Sequence, residues 1–490
     1  MGSDKTADRK TSKTKAVFIV SGVIVAVLLA GLATWFLSSP GQDLAERYNA
    51  IAKPHSQKVW ERAQPTPGQQ LTPGPTAQTY RQAIASCPEM PNQEWDRMTA
   101  TMTLLATAQT SPKDADTTAS PACQALGLAP DSPLGRHMGQ GICAWIKQCH
   151  TSVELLVQGA NQTPALGPDN IWDPDGLSQN TVGNLSQAIN LNRAALLEAV
   201  IAGEGGKLDQ QMLLHTSAIR MGLDTLKGTH LVGAMLGITM FEMHLSHLAA
   251  MAQHAPLSPQ QWDALRSELA YMNSQTATSQ EVFEGEYLTT FPMLFNGKGL
   301  QTPPGSKALL QRHQQQTSML GRLWFGAAAA DAQDMWDKTL ALTQNEADLR
   351  VRLQQHDALN QQLSQSINPL TNLLAGMNYG VYDQRITAAQ ANVRLHTWAM
   401  AAVHHRAQTG QWPSNPQTLA QSWGQALPQD PLMRAPFEFK QEDDGRLTLT
   451  SAALQDPIYQ QHNIKDLSTS LSITVRPAPA NAPADPSPNP

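Results

Sequence analysis

One run of the chain fits a membrane better than any other environment. From Ala16 to Leu37 the sequence AVFIVSGVIVAVLLAGLATWFL carries no charged residue. As a helix its roughly 22 residues reach about 33 Å, enough to cross the hydrocarbon core of a bilayer. Lys5, Arg9, Lys10, Lys13 and Lys15 precede the run, and Asp43 and Glu46 follow it. Basic flanks stay on the cytoplasmic side. The reading is therefore a single-pass bacterial inner-membrane protein: residues 1–15 a cytoplasmic basic tail, 16–37 a transmembrane helix, and the bulk of the chain periplasmic. A cleaved signal peptide is the rival reading, but the apolar core is too long for one and LSSPGQD offers no small-x-small cleavage site.

Such a topology gives the cysteines a setting. Cys87, Cys123, Cys143 and Cys149 all follow the apolar run, and an oxidising compartment would pair them as two disulfides. Cys143 and Cys149 fall on one apparent helix, about 120° apart around its axis, which keeps them from pairing with each other. Each is expected to reach Cys87 or Cys123. The remaining polar positions are filled by Gln, Asn, Ser and Thr, with charged residues at only 15% and a net charge of −6. No basic stripe follows the first residues, so nucleic acid is not an expected partner.

The fold expected is mainly α: the transmembrane helix, a periplasmic helical array, and a small C-terminal α+β module. Residues 38–75 read as a neck and a Pro/Gly linker, and 76–176 as a Cys-bearing helical region with pieces near Thr76–Ser86, Gln93–Gln109 and Gly139–Gly159. A helical bundle is expected over 177–382. Its plainest start is LSPQQWDALRSELAYM. There Ser258 is the N-cap, Pro259 takes the first helical position, and Gln261 closes a capping box. Trp262, Leu265, Leu269 and Met272 then recur at helical spacing on one buried face. LVGAMLGITMFEM (Leu231–Met243) reads as a buried helix, shorter than a membrane span. The tail 477–490 is expected to be disordered, with many Pro and nothing large and apolar to bury.

Residues 383–476 change character. A long amphipathic helix, with Ile386, Val393, Met400 and Val403 on one side, ends at Gly410, and Trp412-Pro413 redirects the chain. Asn415-Pro416 restarts a short helix, LPQDP makes an extended turn, and PFEFKQEDDGRLTLTS alternates apolar residues around Asp444-Gly445, a hairpin signal. SLSITV offers a third strand through Leu471, Ile473 and Val475.

This order resembles the C-terminal part of type II secretion pseudopilins, with the pattern G-x-[WY]-P, LP-x-DP and a DG turn. The matching residues are Gly410, Trp412, Pro413, Leu419, Leu427, Pro428, Asp430, Pro431, Phe437, Phe439 and Gly445, and the likeness spans Asp383–Thr450. It departs from the pattern after Pro431, where Leu432-Met433-Arg434-Ala435 stands instead of an aromatic or Gly. The apolar run also lacks the Glu of a prepilin anchor and lies over 300 residues upstream. The whole chain is similar to a loose group of N-terminally anchored bacterial envelope proteins of no assigned activity, which join a helical region to the same tail. The resemblance implies that Gly410, Trp412, Pro413, Asp430 and Pro431 form a structural junction between helix and sheet.

Chemistry-bearing clusters are sparse. CAWIKQCH lacks the C-x-x-C-H spacing for covalent haem, which favours disulfides. His244 and His247 share a helical face, as metal ligands do, with Glu242 and His230 nearby, yet core histidines are the plainer reading. Met221, Met235, Met240, Met243 and Met251 read as gap-filling core. Glu281 and Glu284 of EVFEGEYL are i, i+3 neighbours whose repulsion would raise one pKa, as acid–base catalysis needs, yet a solvated or salt-bridged face is the plainer reading. DNIWDPDG departs from a calcium loop at Ile171 and Val182 and reads as Asx turns around Asp173 and Asp175. No cofactor is expected.

The function expected is a non-enzymatic scaffold or interaction component, held in the membrane by its N-terminal helix. Its partners would be other envelope proteins, in a secretion or pilus-like assembly. The alternatives are a cell-envelope hydrolase or lytic enzyme using a helix-borne Glu, and a periplasmic metal or ligand carrier.

Overall fold

A computed structural model describes residues 50–51, 54–55, 57–64, 71–107, 118–166, 185–227, 231–294, 333–345, 348–365 and 378–476. The apolar run 16–37, the stretch 167–184 with DNIWDPDG, His230 and the tail 477–490 lie outside them. The described residues are mainly helical, with one small antiparallel sheet near the C-terminus.

The Cys-bearing region forms a core of its own. Helices α1 (Thr76–Ser86), α2 (Trp95–Thr107) and α3 (Pro133–Ala160, kinked at Gly139) pack with α4 (Leu185–Glu204) and the inner face of α5 (Leu208–Leu226). Cys87 pairs with Cys149 and Cys123 with Cys143, so both cysteines of α3 reach outward to a different segment. All four sulfurs sit among buried apolar side chains such as Tyr80, Met98, Trp145 and Leu156.

A second, larger core is built by α6 (Leu231–His254), α7 (Pro259–Gln275), α8 (Ser279–Leu294), α9 (Leu349–Ser364) and α10 (Tyr379–Thr409). The capping box of α7 is present, with Ser258 Oγ accepting from Gln261 N and Gln261 Oε1 accepting from Ser258 N. Trp262, Leu265, Leu269 and Met272 are all buried, each contributing about 1.5–3 kcal/mol by leaving water. α5 and α6 cross where Gly222 faces Gly237. A Cβ on Gly237 would stand 2.5 Å from the Gly222 carbonyl oxygen, so any side chain there pushes two backbones apart.

α6 corrects one expectation. Leu231–Met243 is the first half of a 24-residue helix, long and apolar enough by length and composition to cross a membrane, and mostly buried inside the protein. The apolar run looks short in the sequence because Glu242, His244 and His247 interrupt it. All three turn toward neighbouring helices.

The directions of the helices follow from their contacts. Glu242 of α6 takes Arg385 and, at 3.1 Å, Asn392 of α10, and Trp262, soon after the end of α6, meets His404 with ring centroids 5.0 Å apart, so these two run parallel from Leu231 and Tyr379. α8 opposes α10, since Phe283 meets Tyr379 with ring centroids 5.7 Å apart while Ala277 accepts from Gln390 at 2.7 Å. α9 opposes it too, with Arg352 and His356 on Asp383 and Asn360 beside Asn378.

The C-terminal sheet packs on the second half of α10. Apart from the two-residue strands β1 (Thr72–Pro73) and β2 (Gln162–Thr163), which pair in parallel, strands β3 (Glu438–Gln441), β4 (Leu447–Thr450) and β5 (Ser472–Val475) lie in that order, all antiparallel, with Phe439 opposite Leu449 and Leu449 opposite Ile473. Leu471 precedes the third strand as part of a helical turn. Between β4 and β5 a set of short helical turns buries Tyr459, whose hydroxyl donates to the Leu432 carbonyl at 2.6 Å. α10 belongs to bundle and module at once, so no boundary falls at residue 383.

Candidate functional site

The residues before α1 are docked on the body. Residues 57–63 are helical and run antiparallel to the start of α8. Arg62 pairs with Glu281 at 2.7 Å and also donates to the Thr276 carbonyl. Lys58 and His55 meet Glu284 at 3.2 and 3.0 Å, and Ile51 lies one turn further on against the larger core. At the other end of the segment Ala63 accepts from Ala165 N, and Thr72–Pro73 pairs in parallel with Gln162–Thr163. The Pro/Gly stretch therefore begins and ends on fixed points of the body.

Glu281 and Glu284 face this neck. Their side chains are 12% and 7% exposed, which is not a solvated face. Glu281 also accepts from the Thr278 hydroxyl and backbone N–H. Burial pushes the Glu284 carboxyl up, but His55, Lys58 and Gln280 outweigh it and hold the group below its ordinary range. Mutual repulsion with Glu281 does not govern Glu284, because Lys58 and His55 of the neck and Gln280 of its own helix donate to it. Both carboxylates are thus committed to the neck, and their geometry offers no free acid–base pair.

His244 and His247 gain a partner that the sequence did not indicate. His215 of α5 lies between them: its Nδ1 is 3.1 Å from Nδ1 of His244, and its ring stacks on His247 at 6.1 Å and 6°. His244 Nε2 donates to the Asn192 carbonyl at 3.1 Å. That leaves its Nδ1 as acceptor for His215 Nδ1–H, which fixes both tautomers. Burial lowers all three, His244 to about 3, His247 to about 4 and His215 well below its ordinary value. The cluster is neutral, and among the described residues no group of three or more His, Cys, Asp or Glu is arranged to hold a metal ion.

A second buried polar cluster escaped the sequence reading. Asp224 accepts from Tyr80 at 2.9 Å and from Lys227 at 2.8 Å, while Arg220 forks onto Glu268 and lies over the Tyr271 ring. Arg220 also donates to the Ala160 carbonyl and Lys227 to that of Ala165, so charges of α5 tie down the chain after α3. Burial lowers Lys227 despite Asp224. The available signal was the spacing of Arg220, Asp224 and Lys227 at i, i+4 and i+7 through the mostly apolar last turns of α5 and its C-cap.

The corner from Gly410 to Pro431 joins α10 to the sheet. Gly410 ends α10 at φ 76°, in the left-handed region that favours glycine. Trp412 donates its indole N–H to the Gly445 carbonyl at 2.7 Å, and Arg406 lies 4.4 Å over its ring, but the ring is only half-buried. Fully buried tryptophans flank it. Trp398 donates to the Pro428 carbonyl at 2.8 Å, and Trp423 closes α11 (Pro416–Trp423). Asp430 is 1% exposed and accepts from Leu432 N at 2.9 Å and from the Ser451 hydroxyl at 2.6 Å. Asp430 holds this corner more firmly than Trp412 does.

One pocket, with a volume near 160 Å³, lies between α7, α10 and the turn after α11, lined by Arg266, Asn273, Thr397, Trp423 and Pro428. It is below the roughly 300–1,000 Å³ of ligand clefts, and Arg266 is its one titratable group. Comparison of the chain with protein-family models, with curated proteins and with solved structures returned no match.

Proposed function

We propose that the protein is a non-enzymatic, single-pass envelope scaffold that carries a small α+β interaction module at the end of a rigid helical body. The observation that supports this is the polarity of the body. The neck enters beside the N-termini of α6 and α10, whereas the sheet packs on the far half of α10, a helix of 31 residues, or about 46 Å. With residues 16–37 as the anchor and the basic tail cytoplasmic, the bulk of the chain lies in the periplasm, where oxidising conditions suit both disulfides. The likeness of Gly410–Gly445 to a pseudopilin module suggests neighbours in a secretion or pilus-like assembly. The alternative of a hydrolase draws no support from Glu281 or Glu284, which are engaged by the neck.

Photo-crosslinkers at Glu438 and Lys440 of β3, both on the exposed edge of the sheet, test the proposal in cells. Discrete adducts with envelope proteins are expected from these positions and not from Trp60 on the neck. The reading is overturned if no β3 adduct forms and purified protein degrades cell wall with activity that Glu281→Gln or Glu284→Gln abolishes.

A further inference from the structure

We infer that the end of the helical body where the neck enters lies against the bilayer, with Val232 and Val381 in its headgroup layer; this rests on the anchor reading given above. The directions of the elements converge on this end. Glu286 accepts from the Leu231 N–H at 2.7 Å, which places the start of α6 at the middle of α8. Phe283 and Trp336 both pack on Tyr379, which brings the start of α10 to the same place. Along the neck, Arg62 meets Glu281 and His55 meets Glu284, so the chain followed backward climbs α8 toward these starts and touches the larger core at Ile51. Only residues 38–50 separate Ile51 from the apolar run. As a helix they reach about 20 Å, and fully extended about 45 Å.

The surface at this end suits such a neighbour. Val232 and Val381 are 55% and 49% exposed, and they follow the first residues of α6 and α10. The exposed side chains at the adjoining end of α9, Gln361, Gln362, Ser364 and Gln365, and Asn378 before α10, carry no formal charge. The exposed charges nearby are Asp334, Asp337 and Lys338 on the helix of Trp336 (residues 333–345), and Lys338 pairs with Asp334, so this end carries isolated apolar side chains with little net charge. Two valines would not recruit a free protein, but a tether this short gives an effective concentration of about millimolar, at which a weak contact persists.

Leu213 supplies the control. It is 44% exposed, yet it lies toward the opposite end, because α5 opposes α6 through the Gly222–Gly237 contact. All four native cysteines are paired, so a single new thiol in the full chain can be labelled selectively. An environment-sensitive fluorophore is placed at Val232→Cys, Val381→Cys or Leu213→Cys, and the protein is reconstituted in vesicles containing headgroup spin-labelled lipid. The first two sites are expected to be quenched several-fold more than Leu213→Cys, with and without anionic lipid. Equal quenching at all three sites, in protein that floats with the vesicles, overturns the apposed face and leaves the anchor standing. Protein that does not float with the vesicles removes the anchor, and the inference with it.

Discussion

Glu284→Ala is expected to release the neck while leaving the bundle folded. The carboxylate is 7% exposed and meets His55 at 3.0 Å, Lys58 at 3.2 Å and Gln280 at 2.7 Å. Lys58 is 41% exposed, so its share is screened to well under about 1 kcal/mol. His55 is fully buried, and a hydrogen bond from it to an ionised carboxylate is worth about 1.5–3 kcal/mol. Gln280 belongs to α8 itself, so the neck loses the His55 and Lys58 contacts alone, about 2–3 kcal/mol of docking, or up to roughly a hundredfold in the opening equilibrium. Hydrogen exchange on the full chain reads this directly: amides 57–63 should exchange up to about a hundredfold faster, with those of α10 unchanged. Glu284→Gln keeps the shape and an acceptor, and should cost about half as much. The pH dependence has a definite sign. The folded value lies below the ordinary 4.5, so the contribution is complete above pH 4.5 and is lost as pH falls through the lower folded value. Trp60, exposed on the neck, reports the release by fluorescence. Unchanged protection of amides 57–63 in Glu284→Ala would show that apolar contacts alone hold the neck and refute the ion-pair account.

At the corner, Asp430→Ala should cost about 2–4 kcal/mol by stranding a buried N–H and hydroxyl, Trp412→Ala less, about 1–2 kcal/mol, and Gly410→Val about 1–2 kcal/mol through its positive φ; thermal melts that reverse the order of Asp430 and Trp412 refute the assignment. Acid should destabilise the bundle between pH 6.5, the ordinary value, and about 4, where His247 titrates in the fold. There the unfolded chain binds more protons than the folded one, so His247→Leu should flatten melting temperature against pH; an unchanged slope would refute burial of the neutral ring. Mass mapping should find Cys87–Cys149 and Cys123–Cys143, and the first pair, closing the longer loop, should matter more when replaced by alanines, about 4 against 3 kcal/mol. Gly237→Ala should cost about 1–3 kcal/mol by forcing α5 from α6; a neutral effect would mean the crossing is looser than described.

Much of the local structure was legible because the signals were local. Ser258, Pro259 and Gln261 announce α7 by chemistry confined to one turn, and Gly445 with alternating Phe and Leu gives the hairpin its register. Excluding a bond between Cys143 and Cys149 was a matter of helix geometry. What stayed hidden depends on partners far along the chain. Nothing near His244 indicates that His215 lies beside it, and nothing near Glu284 indicates its neck partners, which lie more than 220 residues earlier. The polar cluster around Asp224 was missed for a related reason, since its charges look like interruptions of an apolar face until Tyr80 and Glu268 arrive from other helices.

The sharing of α10 between bundle and sheet also sets an order of folding. The core around the disulfides is complete by about residue 240, because it draws on α1 to α5 and the first half of α6. The larger core needs Ile386, Val393, Trp398 and Met400, and then Leu447 and Val475, before its apolar faces are covered. As the chain is made, residues 231–364, about a quarter of it, wait with the faces of the larger core uncovered until its last hundred or so residues arrive. During that interval the exposed faces invite chaperones, proteases or self-association. A truncation that removes α10 and the sheet should therefore yield a molecule with a sound disulfide core and a sticky, degraded remainder, rather than a shortened working protein.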